Sequence, residues 1–126
     1  MIQELDIILP LPNMELSANR KHGKNWNSTK KAKDKDKEIG YWLCKQRLSE
    51  INLTFSKNDK LTCILYFWFK DARNRDWGNL ATAYKAMEDG IFAALEIDDG
   101  QIIECHIKKG INKINPHLYV ILKKIS

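Results

Sequence analysis

The chain has 126 residues, 44% of them hydrophobic, which is enough to bury one core and short enough to form a single domain over 1–126. Lys plus Arg number 21 against 16 Asp plus Glu, and the formal charge of +5 favours a polyanionic partner without singling out a class. No apolar run approaches the roughly 20 residues that span a bilayer and no signal-peptide core is visible; the widely spaced Cys44, Cys63 and Cys105 lack ligand spacing and read as reduced interior residues of a cytoplasmic protein, not disulfides or zinc ligands.

Leu5 to Leu9 reads as a first strand, stopped by Pro10 and Pro12. A polar, basic loop follows from Asn13 to about Asn27. Ser28 or Thr29 can cap a helix running to about Leu48, with Ala32, Ile39, Trp42 and Leu43 at helical spacing as its apolar positions. Its first turns carry Lys30, Lys31, Lys33, Lys35 and Lys37, which oppose the helix dipole. Either the helix begins late or those lysines serve a phosphate. Leu61 to Phe69 is the strongest strand: alternate residues are apolar on both faces, as in a central strand covered by helices or by a second subunit. A helix from about Asn79 to Leu95 presents Leu80, Tyr84, Met87, Ile91 and Leu95 as its buried stripe. Ile103 to Ile107 reads as a third strand, and Leu118 to Leu122, after a connection from Gly110 to Pro116, as its partner. The expected fold is a small mixed α/β (α+β) domain, a mixed sheet with two main helices in the order β-α-β-α-β-β.

Chemistry is concentrated in the carboxylates. Asp76 follows the long strand, and Asp98 and Asp99 precede the next one. If the two loops meet at one sheet edge, these acids supply the oxygen ligands that magnesium takes alongside water and phosphate. Lys85 would then neutralise a transferring phosphoryl group or protonate the departing oxygen. The plainer reading makes Asp76 a helix cap and Asp98-Asp99-Gly100 a turn. Lys85, Glu88 and Asp89 can pair along one helix. His22, His106 and His117 share no ligand spacing, and no phosphate-loop, dinucleotide or nucleophile-elbow motif points to a nucleotide cofactor or serine hydrolysis. The basic segment is either a solvated face or a phosphate-contacting one, with Trp26 available to stack on a base.

Several segments in order resemble the RusA-type Holliday junction resolvases, the crossover junction endodeoxyribonucleases. They are Leu9-Pro10-Leu11-Pro12, Ser17-Ala18-Asn19-Arg20, Arg75-Asp76-Trp77-Gly78-Asn79-Leu80, Lys85-Ala86-Met87-Glu88-Asp89-Gly90 and Ile97-Asp98-Asp99-Gly100-Gln101-Ile102. The resemblance implies a homodimer that binds branched, four-way DNA junctions and makes paired nicks with magnesium, which manganese can replace. It implies Asp76, Asp98, Asp99 and Lys85 as catalytic residues, with Asp76, Asp99 and Asp98 on the metal. The candidate DNA contacts, read chiefly from the basic segment, are Asn19, Arg20, Lys21, His22, Lys24, Lys30, Lys31, Arg73, Arg75 and Asn79. Gly78 departs from the family pattern, which has a second acid there. Either the ion binds weakly until phosphate arrives, or Glu88 or Asp89 substitutes, or the chain binds branched DNA without cutting it.

Overall fold

The computed structural model describes residues 4–17, 26–53 and 55–125, with side chains in the first helix described from Thr29 onward. Four strands form one sheet: β1 (Glu4–Leu9), β2 (Leu61–Phe69), β3 (Ile102–Ile111) and β4 (His117–Lys124), in the spatial order β1-β4-β2-β3. The helices are α1 (Trp26–Leu48) and α2 (Trp77–Leu95). β3 runs parallel to β2, whereas β4 lies antiparallel to both β1 and β2. The β1-α1-β2 and β2-α2-β3 segments are therefore crossover connections, in which each helix returns the chain so that strands of one direction can align.

Alternation along the strands determines which face is covered. Leu5, Ile7 and Leu9 of β1, Leu61 to Phe69 at odd positions of β2, and Leu118, Val120 and Leu122 of β4 are buried in one cluster with Tyr84, Met87 and Ile91 of α2 and Cys44 of α1. The opposite face is only half-covered: Ile64, Tyr66 and Trp68 are intermediate and Ile8 is exposed. β2 is central, but helices cover one of its faces, not both.

β4 corrects the expected pairing with β3. It inserts between β1 and β2, where its Leu118, Val120 and Leu122 are fully buried on the helix-covered face. β3 carries Glu104, His106, Lys108 and Lys109, all exposed, and is left as an edge, where charge discourages further strand addition.

The helices also depart in detail. α1 begins at Trp26, so the lysine-rich stretch is helical throughout. Lys30 is offset by Asp34 at 2.8 Å, and Lys45 and Arg47 in the last turn complement the dipole. Trp42 is exposed, correcting its place in the core; the covered stripe instead runs Asp36, Gly40, Cys44. Asp36 is buried because its carboxylate accepts the Asn13 backbone N–H at 2.9 Å, tying the loop after β1 to α1. α1 and α2 cross where glycines leave room: a Cβ on Gly90 would sit 1.9 Å from the Lys37 carbonyl oxygen, and one on Gly40 2.3 Å from that of Met87. Leu95, placed in the buried stripe by its spacing, is half-buried at the last turn of α2.

Candidate functional site

Asp76 is the N-cap of α2. Its backbone is extended, and its Oδ1 accepts the Gly78 backbone N–H at 2.8 Å, satisfying a donor that the first helical turn leaves open. Gly78 is not required by backbone conformation, since a Cβ there would meet only the Asp76 carboxylate, at 3.3 Å. Around this end lies a hollow of about 350 Å³ bordered by Ser17, Arg73, Asn74, Arg75, Asp76 and Asn79, with Met14 and Leu80 behind them.

The other acids sit elsewhere. A 3-10 turn at Asp99–Gln101 leads into β3; Asp98 caps it by accepting the Gly100 N–H at 2.9 Å, with Gln101 completing a capping box. A helix of 19 residues is about 28 Å long, and in a parallel crossover its two ends lie at opposite ends of the sheet. Asp76 thus caps the start of α2, and Asp98 caps the turn that follows its end. Among the described residues no group of three or more His, Cys, Asp or Glu side chains is poised to hold a metal ion.

Asp99 instead meets the middle of α2. The Lys85 Nζ lies 2.5 Å from Asp89 Oδ1, 2.5 Å from Asp99 Oδ2 and 3.5 Å from Glu88 Oε2. Helical spacing brings Lys85, Glu88 and Asp89 together, and the turn before β3 delivers Asp99. Glu88 and Asp89, the two acids considered as substitutes for the one missing at Gly78, are thus the ones that join Asp99.

Electrostatics differ sharply within this group. Burial, and then a hydrogen bond with Asp99, push the Glu88 carboxyl up to about 7. The Lys85 ammonium lowers Asp99 below the ordinary carboxylate range, against the effect of burial and with help from Glu88. Glu88 is therefore far more readily protonated than Asp99 and titrates near neutral pH, while Asp99 stays ionised. Burial alone would lower Lys85, but its bonds to Asp89 and Asp99 outweigh that and hold it above the usual lysine range. Glu88, ionised Asp99 and a locked ammonium form one unit.

Beside it a groove of about 570 Å³ runs between α1 and α2, floored by Leu16, Ala81, Thr82 and Ala86 and rimmed by Lys33, Lys37 and Lys85, with Asp34 and Asp89 among them. Lys33 and Lys37 belong to the basic segment whose alternative reading is phosphate contact, and their i, i+4 spacing places them on one helix face. Lys30 and Lys31 are exposed on α1. Arg73 is exposed, 3.4 Å from Asp71. Arg75 is built into its loop: it donates to Asp71 Oδ1 at 2.8 Å, and its guanidinium lies 3.9 Å from the Phe69 ring centroid. Asn19, Arg20, Lys21, His22 and Lys24, and the Trp26 side chain, lie outside the described residues.

No family model matches the chain, and no curated protein matches it significantly. No helix among the described residues is long and apolar enough to cross a membrane.

Proposed function

We propose that the protein is a magnesium-dependent, structure-selective endonuclease that binds four-way DNA junctions and resolves them by paired nicks. The observation that carries this reading is the convergence of Asp99, Glu88 and Asp89 on Lys85, beside a lysine-rimmed groove. These hard oxygen donors suit magnesium or manganese in kind, and the Lys85 ammonium marks a place where positive charge is held. The described side chains form no ready-made metal cluster, so Asp99, Asp89 and a deprotonated Glu88 would hold the ion only by closing on it in place of the Lys85 ammonium, with Asp98 next in sequence. The bound ion would lower the pKa of an attacking water and stabilise the leaving oxygen. Lys85, released from its carboxylates, reaches a phosphoryl oxygen at the groove and neutralises it. Lys33 and Lys37, with Lys30, Lys31 and Arg73 farther out, hold the backbone of one strand. Cutting opposed strands calls for two sites related by symmetry, so we assign a homodimer. The half-covered sheet face of Ile64, Tyr66 and Trp68 supplies apolar surface for it.

One observation favours a second reading. Asp76 is engaged as a helix cap, and Gly78 adds no oxygen, so the chain would bind branched DNA without cutting it. A labelled mobile junction incubated with magnesium or manganese decides between them. The nuclease reading expects symmetric nicks that Asp99→Asn abolishes. Salt-sensitive junction binding without nicks establishes the second reading, and cutting gained by Gly78→Asp would place the missing ligand at that position. No affinity for any branched substrate would overturn both.

A further inference from the structure

Cys63 and Cys105 are register partners on the adjacent parallel strands β2 and β3. Paired positions point to the same sheet face, and neighbouring strands lie about 4.8 Å apart, within the Cα separation that a disulfide spans. Both thiols are free. Their environments are unequal. Cys63 is fully buried beneath the helices, whereas Cys105 is exposed because β3 is the sheet edge. Each thiol shifts the other's proton affinity, raising it at Cys63 and lowering it at Cys105.

We infer that Cys63 and Cys105 form a redox-modifiable pair, in which exposed Cys105 reacts with a hydroperoxide and buried Cys63 resolves the product as an intramolecular disulfide. In the first step the Cys105 thiolate attacks the distal peroxide oxygen and the O–O bond breaks. Sulfur loses two electrons to become a sulfenic acid, and the departing oxygen takes a proton and leaves as water or an alcohol. In the second, the Cys63 sulfur attacks the Cys105 sulfur, the S–O bond breaks, and the Cys63 proton leaves with the hydroxide as water. One peroxide is reduced for each disulfide formed.

The roles follow from the surroundings. Cys105 is held down to about 7 by the neighbouring Cys63, against the effect of partial burial, so a thiolate is present at neutral pH. Cys63 is driven up by Cys105 and by burial, which keeps its proton until Cys105 has been oxidised. Cys44, pushed up to about 12 by burial and facing away from solvent, takes no part.

The test is treatment of the native full-length chain with hydrogen peroxide, followed by alkylation, non-reducing digestion and mass spectrometry. The expected product has lost about 2 Da, contains a linked Cys63–Cys105 peptide pair and leaves Cys44 alkylated. Cys105→Ser abolishes the reaction and leaves Cys63 a thiol. Cys63→Ser leaves a Cys105 sulfenic acid that dimedone traps, and circular dichroism checks that this core variant is folded. Should that variant unfold, the wild-type linked peptide and Cys105→Ser decide alone. Persistence of the Cys105 thiol in excess peroxide would overturn the inference. So would overoxidation of Cys105 without linkage, or linkage formed only in denaturant.

Discussion

Replacing Glu88 with Gln probes the energetics of the carboxylate group directly. The Glu88 side chain is only 15% exposed, and its carboxyl is raised from an ordinary 4.5 to about 7. Below the ordinary value it is protonated whether the chain is folded or not, and it adds no pH dependence. Between the two values the folded chain keeps a proton that the unfolded chain has lost, so stability falls as pH rises through that window. Above about 7 the folded protein carries the full cost of ionising Glu88 in place. The difference, 7 − 4.5 = 2.5, converts at 1.36 kcal/mol per unit to about 3.4 kcal/mol. Coupling to Asp99 shares part of this, so the expected cost is about 2–3 kcal/mol. Gln keeps the shape, but it cannot ionise.

Urea unfolding should therefore find Glu88→Gln about 2–3 kcal/mol more stable than wild type near pH 8.5 and about equal to it near pH 4. Manganese should raise the stability of wild type at the higher pH, where Glu88 can deprotonate to meet it, and raise that of the variant less. A stability difference independent of pH, or a variant weakened at high pH, would refute the assigned burial and titration.

Gly90→Ala places a Cβ 1.9 Å from the Lys37 carbonyl oxygen, so α1 and α2 must separate, and thermal or urea unfolding should show a loss of about 3 kcal/mol. Gly78→Ala meets only the Asp76 carboxylate, and the same measurement should find it neutral or up to about 0.5 kcal/mol more stable. Lys33→Gln with Lys37→Gln should weaken junction binding and reduce the log-log salt slope by about 0.9 for each phosphate that is no longer neutralised, read by fluorescence anisotropy across a salt series.

Strand alternation made most of the fold legible in the sequence. Leu61 to Phe69 and the Leu80, Tyr84, Met87, Ile91 stripe lie where their periods put them. The position of β4 was not legible, because sequence neighbours usually pair; the charge on β3, which keeps that strand at the edge, was the available signal. Trp42 followed the apolar period but lies outside the helix–helix interface, since α1 approaches α2 through Gly40, whose value is the absence of a side chain. The acids were visible one by one. Their grouping depended on where the turn before β3 meets α2, and that placed Asp99 with Glu88 and Asp89.

Lys85 and a divalent ion cannot both hold the same carboxylates. The ammonium is bonded to Asp89 and Asp99 and lies against Glu88, so it supplies positive charge that would otherwise have to come from solution. An ion entering there must displace it and must also remove the Glu88 proton, so affinity should rise with pH through about 7. Removing the ammonium by Lys85→Met should therefore tighten manganese binding at about pH 8, measured by calorimetry, because the competitor is gone. On the nuclease reading the same variant should lose cleavage, since no cation remains to meet the phosphoryl group. Weaker manganese binding by Lys85→Met would show that the ion and the ammonium do not compete, and would move the candidate metal site away from these carboxylates.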